Sequence, residues 1–264
     1  MRYAKVMQNG SAGYVEVEER DGAFWGARSV AGPEEDPLPA NQAFVPGALE
    51  SLELLPPVRP SKIMCVGRNY RDHAAELGND VPTLPLIFFK PPSSLLGSGG
   101  VVLLPKASER VDYEGELAIV IGRRCRNLRA GDDLHQYIRG YVLVNDVTAR
   151  DLQKSDPQWT RGKGFDTFCP TGPFVSDALD PLSGPVTVTT HVNGALRQTG
   201  STNDFIFAIP ELLEFLSSFM TLEPGDLIPT GTPAGVGALA DGDKVEVAIA
   251  GLGVLRNRVE QETR

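Results

Sequence analysis

The feature that most constrains the fold is a series of short apolar runs separated by glycine, proline and turn-forming dipeptides. The 264-residue chain contains 28 glycines and 21 prolines. Its runs of strand length are IMCVG, LIFFK, VVLL, ELAIVIG, IRGYVLVN, VTVTTHV and KVEVAIA. A turn-rich chain of this kind fits many short strands better than a helix bundle. We therefore predict an α+β fold that is mainly β, with a few helices, and not an alternating βαβ chain.

The N-terminal segment predicts a small β domain of its own. The runs RYAKVMQ, GYVEVEE and AFWGARS are joined by Asn9-Gly10 and Asp21-Gly22, which favour tight hairpin turns. A proline-rich stretch, LLPPVRPSK, follows and is typical of a linker. We place a boundary near residue 60, with a small β domain over 1–58 and the main domain over 62–258.

Helices are predicted at three places. FIFAIPELLEFLSSF has Pro210 in a position suited to a helix start, and TARDLQKS follows Asp146. A shorter candidate is YRDHAAEL. A further hairpin is predicted where VTVTTHV passes through Asn193-Gly194 into LRQTG.

Composition restricts the partners and the compartment. The formal net charge is −9, and no run of Lys and Arg is long enough to form a phosphate-binding stripe, which argues against nucleic acid as a partner. Three widely separated cysteines form neither a disulfide framework nor a zinc pattern and suggest a reducing cytosol. The sequence has no apolar signal core and no run of membrane-spanning length, so we expect a soluble cytoplasmic protein without a membrane partner.

The strongest chemical feature is the sequence Glu114-Gly115-Glu116, which leads into an apolar strand. Side chains alternate along a strand, so the two carboxylates lie on one face. A second apolar run, GYVLVN, ends in Asp146. Three oxygen ligands without Cys or His suit Mg²⁺ or Mn²⁺, and also Ca²⁺, rather than zinc. Solvated strand ends are the alternative, and spacing alone does not show that Asp146 meets the pair.

A second candidate group lies in GRNYRDHAAE. On a helical turn, His73 and Glu76 are at positions i and i+3 and can touch. A histidine oriented by a carboxylate is a standard means of activating water. The alternative is an exposed helix with an incidental pair.

Other candidates follow in ARDLQKSDPQWTRGKGFDTFCP and PTGTPAGVGALADGD. Arg150 and Gln153 can point to the same side as Asp146, and Lys163, between two glycines, can stabilise an oxyanion or enolate. The GVGALA segment leaves no room for a helix before Asp241-Gly242-Asp243, which argues against a dinucleotide site. Two interpretations of this glycine-rich segment remain. It is either a substrate loop in which Thr232 donates a hydrogen bond or a plain turn.

Five motifs in a fixed order resemble the fumarylacetoacetate hydrolase family. They are GRNYRDHAAE, YEGELAIVIG, NDVTARDLQ, GKGFDTFCP and TGTPAGVG, within residues 62–258. The first sixty residues resemble the small N-terminal domain of some bacterial members. The resemblance implies a mixed β-sandwich or roll and a homodimer.

The resemblance also implies roles for the candidate residues. Glu114, Glu116 and Asp146 would bind the divalent metal. His73 and Glu76 would be the catalytic water-activating pair, with Lys163 as a further catalytic residue. Three further residues would contact the substrate or the transition state, namely Arg150, Gln153 and Thr232.

The activity implied is metal-dependent hydrolysis of a C–C bond in an acylpyruvate or fumarylpyruvate type of 2-oxo acid. Two other reactions use the same chelated enolate, namely decarboxylation of oxaloacetate and double-bond isomerisation of a 2-hydroxymuconate or 2-hydroxyhepta-2,4-diene-1,7-dioate type of diacid. The metal residues do not distinguish them. A third hypothesis is a non-catalytic binding domain in which the metal only stabilises the fold.

Overall fold

The computed structural model describes residues 1–76, 78 and 80–263. The strands of this part are β1 (Arg2–Gln8), β2 (Ser11–Arg20), β3 (Ala23–Val30), β4 (Gly47–Ala48), β5 (Glu53–Leu55), β6 (Ile63–Gly67), β7 (Leu86–Lys90), β8 (Leu95–Leu96), β9 (Val101–Leu104), β10 (Val111–Tyr113), β11 (Gly115–Ile121), β12 (Ile138–Asn145), β13 (Thr148–Ala149), β14 (Cys169–Ser176), β15 (Thr187–Val192), β16 (Ala195–Ser201), β17 (Leu227–Pro229), β18 (Gly237–Ala238), β19 (Lys244–Ile249) and β20 (Gly253–Gln261). The helices are α1 (Arg71–Glu76), α2 (Arg150–Ser155), α3 (Thr160–Lys163) and α4 (Ile209–Phe219). The prediction of a mainly β, α+β fold is confirmed.

The predicted helices and hairpins form at the expected places. Helix α4 has Pro210 in its first turn, where the missing N–H costs no hydrogen bond. Helices α1 and α2 occupy the two shorter predicted segments, although Leu77, the last residue of YRDHAAEL, lies outside the described residues. In all three predicted hairpin turns both dipeptide residues have positive φ, as in Asn9 (54°) and Gly10 (74°).

The interior of a large sheet includes β11, the strand that contains Glu116 and begins directly after Glu114. The order of this sheet is β4-β3-β2-β1-β14-β12-β11-β17-β6-β7. The other two sheets of the described chain have the orders β13-β10-β18 and β16-β15-β19-β20-β9. Every residue of β11 is buried. Leu117 and Ile119 face one apolar cluster, to which α4 contributes leucines, whereas Ala118 and Val120 face another.

Strand β14 connects the N-terminal strands to the rest of the sheet. It pairs with β1 on one side and β12 on the other, so the hydrogen-bonded sheet continues across the predicted boundary near residue 60. The sequence did not predict this strand because Pro170 and Pro173 argue against a central position. The ladder accommodates them with a register shift opposite Tyr141 and Leu143. The division into two domains stays a prediction.

None of the helices in the described ranges is long and apolar enough to cross a membrane.

Candidate active site

The register between β11 and β12 brings the three predicted carboxylates together. Gly115 lies opposite Asn145, and the Asp146 N–H donates to the Glu114 carbonyl at 2.8 Å. Asp146 therefore follows the end of its strand directly beside Glu114. One oxygen from each of Glu114, Glu116 and Asp146 lies within 4.8 Å of the others, and all three residues are buried.

Two buried lysines and an arginine surround these carboxylates. Lys163 donates to Glu114 Oε2 at 2.8 Å and to Asp146 Oδ2 at 2.7 Å. Lys90 donates to the other Asp146 oxygen at 2.5 Å, and Arg150 donates to Glu114 Oε1 at 2.5 Å. Both oxygens of Glu114 and of Asp146 are thus ion-paired. Lys163 holds its place because α3 lies close to α2: a Cβ on Gly162 would lie 2.8 Å from the Gln153 nitrogen.

Glu116 differs from its neighbours in having no ion pair within the described ranges. Its Oε2 accepts the Gly231 N–H at 2.8 Å, from the loop after β17, which pairs with β11 on its other side. Burial, together with the negative charges of Asp146 and Glu114, raises the pKa of Glu116 well above its ordinary value. The negative form of Glu116 therefore lacks a compensating cation among the described residues.

The charged groups buried at the site are four carboxylates and three cations, namely Asp112, Glu114, Glu116, Asp146, Lys90, Arg150 and Lys163. The three cations contact Asp112, Glu114 and Asp146, so Glu116 is the carboxyl group of this set without a cationic partner among the described residues, and the cluster of Glu114, Glu116 and Asp146 offers only hard oxygen donors. These residues fit a bound divalent cation of the Mg²⁺ or Mn²⁺ type, because such a cation would compensate Glu116 and accept oxygen ligands.

The charge state of Lys163 follows from its contacts. Burial alone would lower its pKa, but Asp146 and Glu114 outweigh burial, so the pKa lies above the ordinary value. Burial alone would raise the pKa of Glu114, but Lys163 and Arg150 outweigh burial and hold it well below its ordinary value. In the metal-free site these contacts favour the ammonium form of Lys163, which can donate to a developing oxyanion.

His73 and Glu76 form the predicted pair. His73 Nδ1 lies 3.1 Å from Glu76 Oε2, and the histidine is 4% exposed. The second oxygen of Glu76 accepts the Gly235 N–H at 3.0 Å, which joins α1 to the glycine-rich loop. A proton on Nδ1 shared with Glu76 leaves Nε2 as the basic ring nitrogen, and Nε2 has no hydrogen bond to any described residue.

The three predicted substrate contacts have partners inside the protein. Arg150 donates to Gln153 Oε1 at 2.7 Å as well as to Glu114, so its guanidinium also positions a predicted metal ligand. The Thr232 hydroxyl donates its proton to the Gly115 carbonyl at 2.9 Å and accepts from Gln198 at 2.8 Å. Because this proton is already donated to the Gly115 carbonyl, the predicted hydrogen bond from Thr232 to a substrate would require the hydroxyl to turn.

Some buried polar residues at the site were not predicted, among them Lys90, Asp112 and Gln198. Lys90 binds Asp146, and Asp112 accepts from Arg150 Nε at 2.8 Å. Gln198 accepts the Gly115 N–H at 3.0 Å and donates to Thr232. The sequence pattern could have indicated Asp112, because it lies two residues before Glu114 in a buried strand. No sequence pattern indicated Lys90 or Gln198.

All nine predicted site residues converge on one pocket of about 470 Å³. They line it together with Val66, Gly67, Arg68, Phe88, Arg110, Asp112, Lys154, Trp159 and Val236. A polar pocket with buried carboxylates, a cationic lysine and a histidine–carboxylate pair is typical of metal-dependent enzymes.

Comparison with known proteins assigns the family. Residues 62–260 match the family described as fumarylacetoacetate (FAA) hydrolase C-terminal, so the chain belongs to the fumarylacetoacetate hydrolase family. Oxaloacetate tautomerase YisK of Bacillus subtilis is 45% identical over 227 residues, covering 80% of this chain and 74% of that protein.

Two solved structures are similar over essentially the whole chain. The structure of 2-hydroxyhepta-2,4-diene-1,7-dioate isomerase from Mycobacterium marinum is 40% identical, with a TM-score of 0.86 and 100% coverage of both chains. Fumarylacetoacetate hydrolase from psychrophilic Exiguobacterium antarcticum is 37% identical, with a TM-score of 0.83, covering 99% of this chain and 100% of that one. These similar proteins therefore carry tautomerase, isomerase and hydrolase names on one fold.

Proposed function

We propose that this protein is a divalent-metal-dependent enzyme that interconverts the enol and keto forms of a small 2-oxo diacid of the oxaloacetate type. The observation that carries the proposal is the convergence, in one pocket, of the three-carboxylate cluster, the Lys163 ammonium and a histidine whose Nε2 has no hydrogen bond to a described residue. The tautomerase and isomerase names of similar proteins support the same enolate chemistry.

Glu114, Glu116 and Asp146 would hold the cation. When bound there, the cation would polarise the 2-oxo group of the substrate and stabilise negative charge on its oxygen. Lys163 already contacts two of these carboxylates and would donate a hydrogen bond to the same oxygen.

His73 would move the proton. Nε2 takes a proton from C3 of the keto form, the C3 electron pair forms the C2–C3 double bond, and the charge moves to the 2-oxo oxygen. Glu76, on Nδ1, stabilises the imidazolium that results. Return of the proton to the oxygen gives the enol, and the reverse sequence gives the ketone.

Hydrolysis of an acylpyruvate is the second candidate. The His73–Glu76 pair and the similarity to a fumarylacetoacetate hydrolase favour it. In that reaction Nε2 would take a proton from water, the hydroxide would attack the distal carbonyl, and the C3–C4 bond would break to give the pyruvate enolate. Decarboxylation of oxaloacetate and isomerisation of an unsaturated diacid would use the same enolate.

The test is an assay of the purified protein with Mg²⁺, with Mn²⁺ and after EDTA treatment. Oxaloacetate tests tautomerisation by enol absorbance and decarboxylation by pyruvate release, and acetylpyruvate and fumarylpyruvate test hydrolysis. We expect metal-dependent loss of the oxaloacetate enol signal that EDTA abolishes. A metal-free rate equal to the metal-loaded rate would overturn the proposal, and acylpyruvate cleavage without tautomerisation would favour the second candidate.

A further inference from the structure

Arg68 lies on the wall of the pocket. It follows β6 with a φ of 57°, in the left-handed region that non-glycine residues rarely adopt. A Cβ on the preceding Gly67 would lie 3.0 Å from the Trp159 ring, so this backbone packs directly against the indole. The Arg68 guanidinium lies over the same ring, 5.9 Å from its centroid. Strained backbone of this kind is concentrated at functional sites.

The Arg68 guanidinium has neither a hydrogen bond nor an ion pair to any described residue. The other arginines of the pocket are already paired, Arg150 with Asp112 and Glu114, and Arg110 with Asp112. Lys163 is paired with Glu114 and Asp146. Arg68 is half-buried and lines the pocket, so its donors are available to an anion that enters.

Two aromatic rings link Arg68 to Lys163 through successive contacts. The Lys163 ammonium lies 4.7 Å from the Phe88 ring, the Phe88 and Trp159 rings are 5.3 Å apart, and Arg68 lies over Trp159. Phe88 and Trp159 thus form an apolar part of the pocket lining, with the Lys163 ammonium beside one ring and the Arg68 guanidinium beside the other. A lining that combines an apolar surface with two cationic groups suits a carbon chain that carries an anionic group at each end.

We propose that Arg68 binds the distal carboxylate of the substrate and so makes the enzyme selective for 2-oxo diacids over 2-oxo monoacids. The inference rests on the proposed function, in which the 1-carboxylate and 2-oxo group lie at the carboxylate cluster. A guanidinium forks onto a carboxylate with two parallel hydrogen bonds, which gives both affinity and orientation.

The test compares oxaloacetate with its 4-methyl ester, which has the same 2-oxo acid group and no distal charge. In the metal-loaded protein, Arg68→Gln is expected to lower kcat/KM for oxaloacetate roughly 10- to 100-fold, the usual range for hydrogen bonds to a charged group. The value for the methyl ester is expected to change less than about twofold. Inhibition by oxalate, which resembles only the 2-oxo acid end, is expected to be unchanged.

Two matched variants serve as controls. Arg123 is an exposed arginine outside the pocket that lies over the Tyr137 ring at 6.0 Å, so Arg123→Gln removes a similar cation–π contact and should leave both substrates unaffected. Lys154 is the other pocket cation with no ion pair to a described residue. A selective loss of oxaloacetate activity in Lys154→Gln rather than in Arg68→Gln would overturn the proposal, as would an equal loss for both substrates in Arg68→Gln.

A binding measurement separates this inference from the proposed function. If the wild-type protein turns over neither compound, the proposed function fails. Calorimetry on the Mn²⁺-loaded protein then decides the role of Arg68. Weaker binding of oxaloacetate, with unchanged binding of oxalate, in Arg68→Gln supports the role, and equal affinities in wild type and variant overturn it.

Discussion

Glu76 holds His73 and the glycine-rich loop at the same time: one carboxylate oxygen lies 3.1 Å from His73 Nδ1, and the other accepts the Gly235 N–H at 3.0 Å. A second hydrogen bond holds the same loop, because the Tyr113 hydroxyl donates to the Gly235 carbonyl at 2.9 Å. The basic nitrogen of His73 is therefore positioned by the same contacts that fix one wall of the pocket.

The first prediction concerns this pair. His73→Ala removes the proposed base, and we expect kcat to fall roughly 10²- to 10⁴-fold, the usual contribution of general acid–base catalysis. Metal affinity should stay the same, because no hydrogen bond joins His73 to Glu114, Glu116 or Asp146 in the described structure. Glu76→Gln keeps a side chain able to accept from Gly235, so its loss should be smaller. Steady-state kinetics and Mn²⁺ titration check both variants, and unchanged turnover in His73→Ala would contradict the assignment.

The second prediction concerns the cation shared by two carboxylates. Lys163→Met leaves one oxygen each of Glu114 and Asp146 without its ammonium partner, and breaking a buried ion pair typically costs about 3 kcal/mol or more. We expect the metal-free variant to be destabilised by that amount. Added Mg²⁺ or Mn²⁺ should restore more stability to the variant than to the wild type, because the metal supplies the missing positive charge.

Denaturant unfolding with EDTA and with excess metal measures this difference. Lys163→Arg is the matched variant, because it keeps the charge and should be less destabilised without metal. Equal metal-free stability of Lys163→Met and wild type would show that the ion pairs contribute nothing to the fold.

Sequence pattern alone predicted the parts of the site that lie on a single element. Strand alternation placed Glu114 and Glu116 on one face, and helical spacing placed His73 beside Glu76. The position of Asp146 depends on the pairing of Gly115 with Asn145, a register between strands that their sequences do not encode locally.

The sequence did not indicate Lys90, Gln198 or strand β14 for related reasons. Lys90 ends an ordinary apolar strand, and only the assembled sheet shows that its ammonium reaches Asp146. Gln198 lies on a different sheet from Gly115, so their hydrogen bond joins two layers of the fold. The sequence did not predict strand β14, because Pro170 and Pro173 disfavour a strand locally. In the folded protein, pairing with the neighbouring strands outweighs this local preference.

The third prediction concerns acid stability. The Asp36 carboxylate is 5% exposed and accepts from Tyr14 at 2.9 Å and from Lys5. Burial alone would raise its pKa, but the hydrogen bonds from Lys5 and Tyr14 outweigh burial and lower the pKa below the ordinary 3.8. A depressed folded-state pKa stabilises the protein above the unfolded-state pKa, and this contribution is lost as the pH falls through the folded-state value.

Asp36→Asn isolates this contribution. We expect the difference in unfolding free energy between wild type and variant to be constant near neutral pH and to shrink as the pH falls below about 4, the ordinary aspartate range. Urea unfolding over a pH series measures it. A difference that is independent of pH down to pH 2 would contradict the ionised pairing of Asp36.

The last prediction concerns the packing beneath the two glutamates. A Cβ on Gly115 would lie 2.1 Å from Thr190 Oγ1 and 3.1 Å from the nearer Val247 methyl, so Gly115→Ala should cost about 1–3 kcal/mol through overpacking. The Thr190 hydroxyl is buried without a partner among the described residues, so Thr190→Ala should cost less. Because Thr190→Ala removes the closest clashing atom, the double variant should be more stable than the sum of the single changes predicts.

Urea unfolding of the wild type, the two single variants and the double variant tests this prediction. Strict additivity would show that the strand moves away from Thr190 instead of pressing against it. Such a movement would displace Glu114 and Glu116, so Mn²⁺ affinity measured on the same four proteins distinguishes a strained site from a shifted one.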